Sequence, residues 1–236
     1  KTLQADIYIV AAFGQMLSQE VLDIPRYGCV NIHASLLPQY RGAAPIQQVL
    51  LDGRTETGIT IMQMDAGCDT GDILLQEKLK ITEDDTAGTL FEKMSSLGAE
   101  LIVKTIPLIE AGTIVPVRQD NSLSSSTSKV SKEMGHIQWK MSAQGLVRLI
   151  RAMSPWPSAY TRLNGKILKI WKAEAADSAK NGEPGSIAEV TAESLSIYTG
   201  KGQLRLQEVQ LEGKRRMCIS EFLRGNQLVP GQKFDT

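Results

Sequence analysis

The sequence is short of cysteine, histidine and aromatic residues, and it has no surplus of either charge. Its three cysteines, Cys29, Cys68 and Cys218, form no CxxC pair. That excludes a disulfide framework and a cysteine zinc site, and it fits a reducing, cytoplasmic setting. No apolar run approaches the roughly 20 residues needed to cross a bilayer, so no membrane partner is expected. Neither GxxxxGK[ST] nor GxGxxG occurs, which removes the common phosphate-cradling loops. The absence of GxSxG removes the serine nucleophile elbow. Lys plus Arg is 26 and Asp plus Glu is 26, so a uniformly basic or acidic chain is excluded. What remains, 42% hydrophobic and 22% charged, is ordinary globular material.

The cancelled charge hides an asymmetry. Residues 1–128 hold 9 Lys/Arg against 16 Asp/Glu, and residues 129–236 hold 17 against 10. Opposite-signed halves predict two domains with different partners. The run Ser122-Leu123-Ser124-Ser125-Ser126-Thr127-Ser128 reads as a flexible linker. The expected division is a catalytic domain over 1–120, a linker over 121–132 and a second domain over 133–236.

The first half alternates strands and helices, as an open α/β sheet does. Residues 6–12 and 28–33 read as strands buried on both faces. A first strand of that kind needs neighbours and helices on both sides, so a stretch before Lys1 is expected. A short helix over 43–51, a strand over 58–64 and an extended segment over 72–81 follow. Thr86 is placed to cap a long helix with Leu90, Phe91, Met94, Leu97, Leu101 and Ile102 at helical spacing, loosened near Pro107. In the second half, Ser142 should cap a helix that Pro155-Trp156-Pro157 stops. Asn164-Gly165 joins two strand-like runs as a hairpin turn. Short strands near 187–190, 194–198 and 203–211 then suggest a small OB-like β-barrel.

Two segments could carry chemistry. Asn31 and His33, two apart on a strand, share a face at its carboxyl end, where open α/β sheets place ligands. Asp65-Ala66-Gly67-Cys68-Asp69-Thr70-Gly71-Asp72 is a tight acidic loop after a strand. It is not an EF-hand, because Thr70 stands where that loop needs glycine and Gln76 where it needs glutamate. Taken singly, each residue has an ordinary structural reading. Together they supply an amide donor, an imidazole and a carboxylate, which can stabilise an oxyanion and move a proton. Cys29 and Cys68 have no evident activating group and are read as core or loop residues.

Asn31-x-His33-x-Ser35-Leu36-Leu37-Pro38 followed by Asp69-Thr70-Gly71-Asp72 resembles the signature of the folate-dependent formyltransferases. The longer string from His33 through Arg41-Gly42-Ala43-Ala44-Pro45-Ile46, with Glu56 to Met64, Pro155-Trp156-Pro157 and Val229-Pro230-Gly231, is similar to those members that formylate methionyl-initiator tRNA. The resemblance covers nearly the whole chain. It implies a Rossmann-like formyltransferase domain, here without the family's opening strand, glycine turn and further βα units, followed by an OB-like domain. It implies formyl transfer from 10-formyltetrahydrofolate to the α-amine of the initiator methionyl-tRNA, in translation initiation. The catalytic set it implies is Asn31, His33 and Asp69, with Asp69 holding His33. Ser35, Leu36, Leu37 and Pro38, with Gln15, Met16 and Leu17, would hold the folate.

No metal is expected, and a monomer is. The basic second domain should meet tRNA phosphates, through Lys129 and Lys132 and through Arg148, Arg151, Lys166, Lys169 and Lys214 to Arg216. Arg41 is expected to approach the tRNA 3′ end. Two rivals are another folate-linked formyl enzyme acting on a small amine or on water, and a catalytically dead RNA-binding protein. The basic half speaks against the first and the intact Asn, His and Asp set against the second.

Overall fold

A computed structural model of the chain describes residues 4–177 and 182–234. Two compact units emerge, one of residues 1–49 and 54–129 and the other of residues 50–53 and 130–236.

The first unit contains β1 (Tyr8–Ala11), α1 (Gln19–Leu22), β2 (Cys29–His33), β3 (Arg41–Gly42), β4 (Glu56–Gln63), β5 (Ile73–Lys80), α3 (Ala87–Glu110) and β6 (Ser126–Thr127). Between β3 and β4 in the chain runs α2 (Pro45–Leu51), of which residues 45–49 fall in this unit. The main sheet runs β1-β2-β4-β5. Its β1–β2 pair is parallel, whereas β2–β4 and β4–β5 are antiparallel. Ile59, Ile61 and Met62 are almost wholly buried, because β4 is central in the sheet and α3 packs on it. Leu90, Met94 and Leu101, four and then seven residues apart, supply the buried stripe of α3. Thr86 caps that helix in a reciprocal box with Thr89. The helix carries through Pro107 to Glu110, so the proline loosens it less than expected.

Two expectations change here. β1 is not buried on both faces, since Ile9 is 41% exposed. Among the described residues it pairs on one side only, with β2. The serine-rich run is not free linker either. Asp120 caps a 3₁₀ turn at Asn121–Leu123, and Ser126–Thr127 pair in parallel with Arg41–Gly42. Local composition suggested mobility, but Arg41 and Gly42, 85 residues away, offer this segment a ladder partner.

The second unit contains α4 (Ala143–Ala152), β7 (Ala159–Leu163), β8 (Lys166–Ala176), β9 (Ile187–Val190), β10 (Leu195–Tyr198), β11 (Gln203–Leu211), β12 (Met217–Cys218) and α5 (Ile219–Arg224). Its sheet runs β7-β8-β11-β10-β9, with β12 beside β11 and every pair antiparallel. This is the strand content of a small OB-like domain. Asn164 and Gly165 both take positive φ at the hairpin tip, 51° and 77°, as a two-residue type I′ turn requires. Ser142 Oγ accepts from Gly145 N at 3.1 Å and caps α4. The core centres on Trp139, 2% exposed, whose indole N–H donates to Thr161 Oγ1 at 3.3 Å and whose ring lies 5.6 Å from that of Phe234. Among the described residues no helix is long and apolar enough to cross a membrane.

Candidate active site

The site grows from the carboxyl end of β2. Because β1 runs parallel to β2, in register Val10 with Asn31 and Ala11 with Ile32, both strands end at the same sheet edge. Residues 12–18 leave from that edge. There Gln15 and Met16 are exposed and Leu17 is half-buried.

Asn31 and His33 lie two apart on β2 and face the loop after β4. Asn31 Nδ2 donates to Asp69 Oδ1 at 3.4 Å, and His33 Nδ1 stands 3.6 Å from Asp69 Oδ2. The second distance is longer than a hydrogen bond, and the contact becomes an ion pair only when the ring is protonated. His33 Nε2 meets the Tyr40 carbonyl at 3.0 Å. A carbonyl only accepts, so Nε2 carries the hydrogen in the neutral ring and the Nδ1 lone pair faces the carboxylate side. His33 is 5% exposed overall, and the Asp69 side chain 17%.

The acidic loop is built to hold Asp69. Asp65 carboxylate oxygens accept from Gly67 N at 3.0 Å and Thr70 Oγ1 at 2.7 Å, folding the loop on itself. Asp69 has φ of +54°, a left-handed conformation that aspartate tolerates better than most side chains. Gly71 passes so close to β4 that an added Cβ would meet the Gln63 carbonyl oxygen at 1.8 Å. The Asp69 Oδ2 atom also accepts from Gly42 N at 2.8 Å. Gly42 has φ of +102° and lies against Thr127, so no larger residue fits there without strain.

The loop 35–38 is pinned to the sheet by polar bonds. Ser35 Oγ donates to Gln39 O at 2.6 Å. Thr60 Oγ1 donates to Ser35 O at 2.6 Å and accepts from Leu37 N at 3.1 Å. Gln76 Nε2 donates to Leu37 O at 2.8 Å. Ser35 and Leu37 are buried, and Leu36 and Pro38 are half-buried. A cleft of about 230 Å³ opens beside this loop, lined by Leu36, Tyr40, Val49, Arg54 and Glu56 among others. Asn31, His33 and Asp69 do not line it.

Arg41 corrects an expectation. It is 9% exposed, and its guanidinium is committed inward. Nε and Nη2 donate to Gln119 Oε1 at 3.0 and 2.7 Å, and Nη2 to Asn121 Oδ1 at 2.9 Å. It therefore does not stand out as a cation for tRNA. Lys129 and Lys132 are exposed, whereas Arg215 and Arg216 pair with Glu221 and Glu208. Lost solvation, then the Asp69 carboxylate beside it, push the Cys68 thiol up from its ordinary value, and burial does the same for Cys29. Neither is a poised thiolate. Among the described residues no three His, Cys, Asp or Glu side chains gather as a metal-holding group.

Residues 1–106 match the formyl transferase family, and residues 129–227 match the formyl transferase C-terminal domain. Methionyl-tRNA formyltransferase from Agathobacter rectalis is 49% identical over 234 residues, 99% of this chain and 76% of that protein. The chain belongs to the methionyl-tRNA formyltransferases. The formyltransferase of Lachnospira eligens is likewise 49% identical, over 98% of this chain and 75% of its own length. Among solved structures, HypX from Aquifex aeolicus, in complex with tetrahydrofolic acid, shares the fold of this formyltransferase with a TM-score of 0.68 at 17% identity. That likeness covers 92% of this chain and 38% of HypX.

Sequence reasoning brought Asn31, His33 and Asp69 to one place in this formyltransferase. It missed Gln119, Gly42 N–H and the Tyr40 carbonyl. No local signal marks them, because a buried glutamine 50 residues from Asp69 has no periodicity to betray it.

Proposed function

We propose that Asn31, His33 and Asp69 are the catalytic set with which this enzyme transfers a formyl group from 10-formyltetrahydrofolate to the α-amine of initiator methionyl-tRNA. The observation that carries this reading is the Asp69 carboxylate, which meets both Asn31 and His33 across a sequence gap of 36–38 residues. A neutral amide, an imidazole and a carboxylate gathered in one place suit acyl transfer to an amine.

The neutral α-amine attacks the formyl carbon, and the carbonyl oxygen becomes an oxyanion. Asn31 has two amide hydrogens. One is directed to Asp69, and the other is available to the oxyanion, a contribution on the order of 3 kcal/mol for such a donor. The new ammonium gives its proton to His33 Nδ1, directly or through a water, since Nε2–H is already given to Tyr40 O. The resulting imidazolium then faces Asp69 Oδ2 and is stabilised there. His33 next passes this proton to the folate nitrogen as its bond to the formyl carbon breaks. Formyl-methionyl-tRNA and tetrahydrofolate leave, and His33 is neutral again.

The loop 35–38 and residues 15–17 border the folate, and the exposed Lys129 and Lys132 contact tRNA phosphates. The protein acts as a monomer in the cytoplasm, with residues 1–120 as catalytic domain and 133–236 as tRNA-binding domain. Supporting the tRNA role are the basic balance of residues 129–236 and the family match at 129–227.

The deciding experiment measures single-turnover formylation of charged initiator tRNA by the purified enzyme. His33→Ala and Asn31→Ala should each slow the step by roughly 10² or more, with folate affinity changed little. Rates within a few-fold of the parent would remove these residues from the mechanism.

A further inference from the structure

The Asp69 carboxylate can assist His33 only if its loop stays in one place, and one buried side chain does that from far away in sequence. Gln119 is 6% exposed and uses both ends of its amide. Its Nε2 donates to Asp69 O at 2.9 Å and to Gly71 O at 2.7 Å. Its Oε1 accepts both bonds from Arg41 given above. Arg41 is followed by Gly42, whose N–H binds the Asp69 carboxylate. A closed ring results. Gln119 grips the main chain of Asp69, and through Arg41 it also grips the backbone that the carboxylate of Asp69 is bound to.

The geometry points to Gln119 as a positioning residue for the reaction, with Arg41 as its partner, acting through Asp69 rather than on substrate. The left-handed backbone at Asp69 sharpens the need. Such a conformation persists where the surroundings over-determine it, and Gln119 supplies two of the bonds that do so. A carboxylate that drifts by about 1 Å relative to His33 loses much of its effect on the proton transfer. This inference rests on the reading of Asp69 as catalytic.

The test compares Gln119→Ala, Gln119→Glu, Asp69→Asn and the double variant Asp69→Asn/Gln119→Ala in the purified enzyme. Gln119→Ala should lower kcat by at least about tenfold, with KM for both substrates within about threefold. Gln119→Glu keeps acceptors for Arg41 but loses both amide donors, so it should fall as far. Should the alanine variant fold poorly, the near-isosteric glutamate variant carries the comparison. In the Asp69→Asn background, Gln119→Ala should cost less than about a further twofold, because residues that act as one unit are not additive. The two histidines, His33 and His136, give a second readout. The ring-proton resonance of His33 should move in the same direction in Gln119→Ala and Asp69→Asn, while that of His136 stays. Parental kcat in Gln119→Glu, or fully additive losses in the double variant, would overturn the inference. If Asp69→Asn itself retains parental kcat, the reading of Asp69 fails, and that outcome is distinct from Asp69→Asn being slow while Gln119→Ala is not.

Discussion

The two units bury polar groups differently. In the first, the buried polar side chains include His33, Arg41, Asp85 and Gln119, which bear charge, a titratable ring or an amide. In the second, the buried polar side chains among the described residues are all hydroxyls, Ser158, Thr161, Ser186, Ser196 and Thr199. Its ion pairs, such as Arg205–Glu174 and Lys233–Glu183, lie on exposed side chains where each contributes little. Burying an amide or an ion is costly unless every polar atom is matched. The first unit meets that cost around Asp69 with the matched bonds of Arg41 and Gln119. The second has an apolar interior around Trp139.

Four expectations test this contrast, in falling order of size. Trp139→Ala should destabilise the second unit by about 3–5 kcal/mol in urea unfolding, because a large cavity opens in its core. A loss under 1 kcal/mol would mean that the interior closes up readily. Asp69→Asn should act on rate instead, slowing formylation by about 10², equivalent to about 3 kcal/mol of barrier. Asparagine tolerates the left-handed backbone at position 69 at least as well, so the melting temperature should hardly move. A large fall in melting temperature would recast Asp69 as structural.

The third concerns Asp85, whose side chain is 3% exposed. Burial pushes its carboxyl up, but Lys93 Nζ at 2.7 Å and the backbone and hydroxyl donors of Thr82 and Thr89 outweigh it and hold the pKa at about 2. The folded value lies below the unfolded one, so the stabilisation is fully present above about pH 4. It fades as the pH falls towards 2 and amounts to about 2 kcal/mol. Unfolding followed from pH 5 to pH 2 should show this slope, and Asp85→Asn should flatten it. An unchanged slope would place the acid sensitivity elsewhere. The smallest effect belongs to the exposed surface. Replacing Lys129 and Lys132 together by alanine should reduce the slope of log affinity for tRNA against log salt by about 2, with turnover of bound tRNA unchanged. An unchanged slope would remove both from the phosphate contacts.

Much of the architecture was legible because it rests on local signals. Thr86 and Ser142 announce helix starts by their own side chains, and Asn164-Gly165 announces a turn by the φ values it permits. Asn31 and His33 could be paired because a strand has period two, and Asp69 joined them through its motif. The readings that failed involve distant partners. Ser126–Thr127 looked like linker because their ladder partner is Arg41–Gly42. Arg41 looked like a surface cation because nothing near it in sequence tells of Gln119 and Asn121.

The hydrogen bond from Gly42 to Asp69 also acts as a clock. An amide hydrogen held by a carboxylate exchanges with deuterated solvent only when that bond opens. The exchange lifetime at Gly42 therefore counts how often the Asp69 carboxylate lets go in the resting enzyme, with no substrate present. In Asp69→Asn, whose side chain is a weaker acceptor, that lifetime should shorten, readable at a single backbone position by nuclear magnetic resonance.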